Sequence, residues 1–155
     1  MESKTERYEL LVKQIKTLID GETNETSVLA NVSSAMATMF PEWLWTGFYL
    51  VRDGELLVGP FQGPVACYHI KKGRGVCGSS WERGETIVVP DVDQFPGHIA
   101  CSSLSRSEIV VPIYNKEREV VGVLDVDSPE LNTFDNTDKL FMEQIVDIIS
   151  SQLGY

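Results

Sequence analysis

The sequence predicts an α+β fold, a mainly antiparallel sheet with helices contributed by both ends of the chain. Three observations point to it: a 3.6-residue apolar period near each terminus, short β-branched and aromatic runs between, and tight-turn signals joining those runs as hairpins. The chain has 155 residues, read as one domain spanning 1–155, long enough to bury a core without disulfide or metal staples.

The apolar residues Tyr8, Leu11, Val12, Ile15, Leu18 and Ile19 fall on one helical face. A polar break at Gly21-Glu22-Thr23-Asn24 precedes a second stripe, Val28, Leu29, Val32, Ala35, Met36 and Met39, which Pro41 ends. The methionines read as core filler. Leu44 to Val51 reads as a strand, Asp53-Gly54 as a type I′ turn, and Glu55 to Gly59 as the returning strand. A third strand is expected over Ala66–Ile70, a short helix over Gly75–Arg83 stopped by Gly84, and a short strand at Ile87-Val88-Val89. Glu108–Tyr114 and Glu119–Asp127 form a second hairpin around Asn115-Lys116-Glu117-Arg118. The last helix has Asp135 as its N-cap and a stripe at Phe141, Ile145, Ile148, Ile149 and Leu153.

Composition narrows the function classes. With 43% hydrophobic and 23% charged residues, the chain is neither disordered, collagenous nor coiled-coil. A formal charge of −10 argues against nucleic acid or an anionic membrane as the main ligand. Charged residues interrupt every apolar run before membrane-spanning length. The segment Met1–Arg7 has no apolar stretch of a signal peptide, so a cytoplasmic location is expected. The basic cluster Lys71-Lys72-Gly73-Arg74 reads as a solvated turn.

Function is sought in the long loop from Pro90 to Arg106, which carries Phe95-Pro96-Gly97-His98 and then Cys101-Ser102-Ser103. The three cysteines, Cys67, Cys77 and Cys101, allow three readings: buried inert thiols, a zinc site completed by His69 or His98, or a redox site. An odd count disfavours a structural disulfide framework, and the spacing lacks a zinc knuckle. Cys101, on a polar loop between His98 and Arg106, suits a thiolate; Cys77, at the start of a helix, also lies where an anion is favoured. Cys67 is placed on a strand, and the loop would have to fold back to reach it.

These residues carry a resemblance. Gly73-Arg74-Gly75-Val76-Cys77-Gly78, Phe95-Pro96-Gly97-His98-Ile99-Ala100-Cys101 and Ser107-Glu108-Ile109-Val110-Val111-Pro112 are similar to segments of the free methionine-(R)-sulfoxide reductases, enzymes built on a single GAF domain. Trp45-Thr46-Gly47-Phe48-Tyr49 and Gly122-Val123-Leu124-Asp125-Val126-Asp127-Ser128 match as well. The match runs from about the second helix to the last, and ordinary GAF sensors lack these cysteines with the Phe-Pro-Gly-His loop.

The resemblance implies reduction of free methionine sulfoxide through a cysteine sulfenic acid, with thioredoxin as reductant and no cofactor or metal. Cys101 would be the nucleophile, Cys67 the favoured resolving thiol and Cys77 a second candidate. Glu108, Asp125 and Asp127 match the acidic site residues; the two aspartates share one strand face, and mutual repulsion would raise at least one pKa. One acid would protonate the sulfoxide oxygen and another pair with the substrate ammonium. Trp45 and Tyr49 would wall the pocket, and backbone N–H groups near Gly78-Ser79 or Ser102-Ser103 are candidates for the substrate carboxylate. A homodimer is expected, with the apolar face of Tyr8–Ile19 available for pairing. The alternative is a non-catalytic GAF sensor of a small molecule or of oxidants, against which stands the expectation that no second domain follows the last helix.

Overall fold

The computed structural model describes residues 2–98 and 101–155. They form helices α1 (Lys4–Ile19), α2 (Glu25–Met39), α3 (Gly75–Arg83) and α4 (Asn136–Leu153). The strands are β1 (Trp45–Arg52), β2 (Glu55–Gln62), β3 (His69–Ile70), β4 (Ile87–Val89), β5 (Ser107–Tyr114) and β6 (Val120–Ser128). One sheet results, in the order β3-β2-β1-β6-β5-β4 with every neighbour antiparallel. The expected α+β architecture is the one the chain adopts.

Local chemistry explains most boundaries. Asp53 and Gly54 both take positive φ, 51° and 80°, as the two-residue β1–β2 turn requires. Gly84 closes α3 in the left-handed conformation, φ 64°. Asp135 caps α4 and completes a reciprocal capping box with Asp138. The β5–β6 turn is fastened by Asn115 Oδ1, which accepts the backbone N–H of Glu117 and Glu119.

The sheet sorts its side chains by pleat. One face presents Phe48, Leu50, Ile109, Val111, Leu124 and Val126 to α1, α2 and α4, and holds the larger core. Tyr8, Leu11, Ile15, Leu29, Val32, Ile145 and Ile149 meet them there with almost no exposure. Met142 and Val146, outside the stripe read for α4, are buried with it, whereas Leu18 of the α1 stripe is exposed. The apolar face of α1 is thus consumed in the chain's own core, leaving Leu10 and Leu18 as its exposed large apolar residues. That face is buried within one copy rather than free to pair two. No helix of the described residues is long and apolar enough to cross a membrane.

The opposite face carries Trp45, Tyr49, Val110 and Val123, covered by α3 and the loops. One expectation needs correction there. The third strand is only His69–Ile70, so Cys67 lies in the segment before it and not on a strand. That segment follows Pro64 and leans off the sheet edge, keeping one ladder-like bond from Val58 N–H to the Tyr68 carbonyl, 2.9 Å. The loop from Pro90 carries a 3-10 turn, Val92–Gln94, and Val92 N–H donates to the Arg106 carbonyl at 2.9 Å.

Helices α1 and α4 are joined by a buried polar knot. Asp138, 1% exposed, accepts the Tyr8 hydroxyl at 2.5 Å, Lys4 Nζ at 2.7 Å and the Asp135 backbone N–H at 2.8 Å. Burial and the Asp138 charge push the Tyr8 phenol far above its ordinary range, so it remains a donor. Asp138→Ala should leave the Tyr8 hydroxyl and the Asp135 N–H without an acceptor, Lys4 keeping the Thr133 carbonyl and Asp135, and cost about 3 kcal/mol, read as a lowered urea midpoint at unchanged m-value.

Candidate active site

Register builds the site. On β6, Asp127 lies opposite Glu108 of β5 and opposite Trp45 of β1; two residues earlier, Asp125 lies opposite Val110 and Gly47. With a period of two, Glu108, Asp125, Asp127, Trp45 and Tyr49 therefore share the face turned away from α1, α2 and α4. Gly47 is required beside Asp125, because a Cβ there would collide with Phe61 and come within 2.9 Å of the Pro60 carbonyl. Helix α3 crosses this face and lays Gly75, Val76 and Cys77 against it.

A pocket opens between these elements, walled by apolar and aromatic side chains with a few polar groups among them. Trp45, Tyr49, Cys77, Cys101, Glu108, Asp125 and Asp127 all line it, so every sequence-predicted site residue but Cys67 contributes to its wall. Cys67 stands at its edge, bonded to Cys101 in a disulfide with 5.6 Å between Cα atoms, well inside the range such bridges span. Cys101 is exposed and Cys67 half-buried, so the bridge is reachable from solvent. Cys77 remains a free, buried thiol.

The aromatic pair does more than wall the cavity. Trp45 Nε1 donates to the Pro64 carbonyl at 3.1 Å, and the Tyr49 hydroxyl donates to the Cys67 carbonyl at 3.2 Å. Both hold the segment that carries Cys67. Their rings lie 5.8 Å apart, and Phe61 stacks on Trp45 at 5.0 Å.

Electrostatics are dominated by three carboxyls in little water. Glu108 is 5% and Asp125 6% exposed, and Asp127 is half-buried. Burial first, then the charges of Asp125 and Asp127, hold Glu108 well above the ordinary carboxylate range. Asp127 is raised likewise, by burial and then by Asp125, although the Ser105 hydroxyl donates to it at 3.1 Å. Asp125 is raised by burial, but the neighbouring polar groups of Glu108 and Cys77 and the nearby His98 oppose that rise. The triad therefore keeps protons on Glu108 and Asp127 more readily than on Asp125. Asp125 Oδ1 is buried without a hydrogen-bond partner among the described residues.

Several expectations are revised. Cys77 does open α3, yet burial, followed by the charges of Asp125, Glu108 and Asp127, drives its thiol well above its ordinary value; desolvation and repulsion outweigh the helix terminus. Gly78 N–H is already committed to the Arg74 carbonyl at 2.9 Å, and the Ser79 hydroxyl donates to the Gly75 carbonyl at 2.6 Å, so that pair offers no ready donor to a ligand carboxylate. Of the alternative pair, Ser102 lines the cavity. Arg106 does not line it, while Arg74, read as part of a solvated turn, does. His98 lines it too, with Nε2 3.8 Å from Glu108 Oε1. Ser105 and Phe61 had no signal of their own; Arg74 stood in a basic cluster and in a segment of the family resemblance, and neither gave it a role.

The family model described as GAF domain matches residues 22–153. GAF domain-containing protein A of Dictyostelium discoideum is 53% identical, over 96% of this chain and 94% of its own. The free methionine-R-sulfoxide reductase of Saccharomyces cerevisiae is 41% identical, over 96% of this chain and 86% of its own. Among solved structures, the free methionine-R-sulfoxide reductase of Neisseria meningitidis in complex with its substrate superposes with a TM-score of 0.95 at 45% identity, covering 99% of this chain and 92% of that one.

The raised carboxyls fix a pH dependence. Glu108 keeps its proton in the folded protein at pH values where the unfolded chain, at its ordinary 4.5, has lost it. The native state then binds the extra proton, so this group's contribution is complete below that value and is lost as the pH climbs through the folded one. Glu108→Gln should raise the thermal midpoint at pH 8, by about 2–4 °C for each kcal/mol relieved. The gap to the parent protein should close toward pH 4 in a calorimetric series.

Proposed function

The chain belongs to the GAF-domain family, in its free methionine-R-sulfoxide reductase branch, and from that premise we propose how its residues reduce the free amino acid sulfoxide. The protein is an oxidoreductase acting on free methionine-(R)-sulfoxide. The observation that carries the residue assignments is the Cys67–Cys101 disulfide at the edge of a cavity whose floor is the Glu108–Asp125–Asp127 triad.

In this reading the substrate methyl and stem lie against Trp45 and Tyr49, and the S–O group points at the triad. Cys101, as thiolate, attacks the sulfoxide sulfur while Glu108 gives its proton to the oxygen, which leaves the S–O dipole no uncompensated charge. The adduct collapses with the oxygen passing to Cys101, releasing methionine and leaving a sulfenic acid. The Cys67 thiol displaces that hydroxyl as water and closes the disulfide. A dithiol protein, thioredoxin, then reduces the bridge and returns both thiols. The observed pairing favours Cys67 over Cys77 as resolving thiol, and the high proton affinity of Cys77 points the same way. Asp125, the acid whose proton is least firmly held, takes the substrate ammonium with the ionised side of the triad, including its orphan Oδ1. The carboxylate end reaches Arg74 and the first-turn N–H groups of α3.

Purified protein with thioredoxin, thioredoxin reductase and NADPH should consume NADPH on addition of free L-methionine-(R)-sulfoxide and hardly at all with the S epimer or a peptide-bound sulfoxide; silence with the free R epimer rejects the assignment. Cys101→Ser should abolish the reaction. Cys67→Ser should release about one equivalent of methionine and then stop, and full turnover in that variant would move the resolving role to Cys77. Glu108→Gln should lower kcat by about 10²–10⁴-fold, the usual worth of a positioned proton donor.

A further inference from the structure

Three potential ligand atoms converge beneath the cavity: Cys77 Sγ, a carboxylate oxygen of Glu108 and one of Asp125 lie within 4.8 Å of one another, all on buried residues. They come from three regular elements, α3, β5 and β6. A second observation is independent of that spacing. Asp125, 6% exposed, buries Oδ1 with no hydrogen-bond partner among the described residues, an arrangement that costs free energy until something electropositive fills the gap.

We propose that Cys77, Glu108 and Asp125 form a binding site for a thiophilic divalent cation, with Zn²⁺ the best fit, and that the ion inhibits the enzyme by taking the groups the substrate needs. One sulfur and two oxygens suit zinc, which accepts both in a tetrahedral shell. Calcium and magnesium prefer all-oxygen sets of six or more ligands. Zinc bonds of about 2.0–2.3 Å place tetrahedral ligands roughly 3.3–3.7 Å apart, so the three atoms need contract by about 1 Å, within the reach of side-chain rotation. The fourth position opens on the cavity, where water completes the shell. Binding releases the protons of the three ligands, and a dication among them offsets the burial that chiefly holds those protons, together with the mutual repulsion felt by Cys77 and Glu108. This site departs from the sequence expectation of no metal.

Zinc binding stands on this geometry alone; the inhibition rests also on the substrate placement proposed above. The experiment titrates Zn²⁺ against a chromogenic chelator with the disulfide form of the protein, in which Cys77 is the one free thiol. One equivalent should bind, and Cys77→Ser and Asp125→Asn should each weaken binding at least 10-fold. Co²⁺ in its place should give thiolate-to-metal charge-transfer absorption that disappears in Cys77→Ser. Absence of stoichiometric binding, or binding untouched by both substitutions, overturns the site. In the NADPH-coupled assay Zn²⁺ should raise the apparent KM for methionine-(R)-sulfoxide without lowering kcat, reversibly with EDTA. Tight zinc binding with no effect on that KM overturns the inhibition, and tells against the placement of substrate on Asp125 while the ion site stands.

Discussion

The structure turns on a cross-strand pair that ordinary sheets avoid, two carboxyls facing each other. Glu108 and Asp127 are direct partners in the β5–β6 register, and Asp125 follows one pleat away. Like charges directly opposite destabilise a sheet, and here they do so with most of their water removed. The chain accommodates them by holding protons, so the cost of ionisation becomes stored proton-donating capacity. A slip of β6 by one residue would turn Asp125 and Asp127 onto the face that α1, α2 and α4 cover, where the core admits no charge, and would leave Glu108 without them.

The sheet divides labour between its faces. Folding free energy comes chiefly from the side where Phe48, Leu124 and Ile109 meet three helices, closed at one end by the Tyr8–Asp138–Lys4 knot. The other face can therefore tolerate an orphan oxygen, a buried thiol and a cavity. Such sites usually carry local cost that the scaffold offsets elsewhere, and the arrangement keeps the two demands on separate side chains of the same strands.

Much of this was legible in the sequence wherever the determinant is local. Asp53-Gly54, Gly84 and Asp135 each announce a backbone event within a few residues of themselves, and each is found there. The alternation of Asp125 and Asp127 likewise requires only strand geometry. What was misread depends on distant parts of the chain. Cys77 reads as an activated thiol from its helix position, but its proton affinity is set by carboxyls on strands about 30 to 50 residues away in sequence. Cys67 reads as strand because its neighbours are apolar, yet Val65 and Tyr68 are exposed and the segment is held by Trp45 and Tyr49. Arg74 and Arg106 exchange roles because only the fold decides which basic residue faces the cavity. The family motifs picked out the site segments without reporting what each side chain touches.

The two aromatic hydrogen bonds to the Pro64–Cys67 segment have a kinetic consequence. They do not depend on the sulfur bridge, so opening it leaves the Cys67 backbone moored to β1. A partner sulfur separated by 34 positions along the chain is then not found by a diffusive search of a long loop. It waits at the rim already oriented, and much of the ordering entropy that closure would otherwise require was spent when the sheet formed. An oxidised Cys101 would accordingly meet its neighbour as a near-unimolecular event, leaving little time for a second equivalent of oxidant to carry that sulfur past the reversible stage.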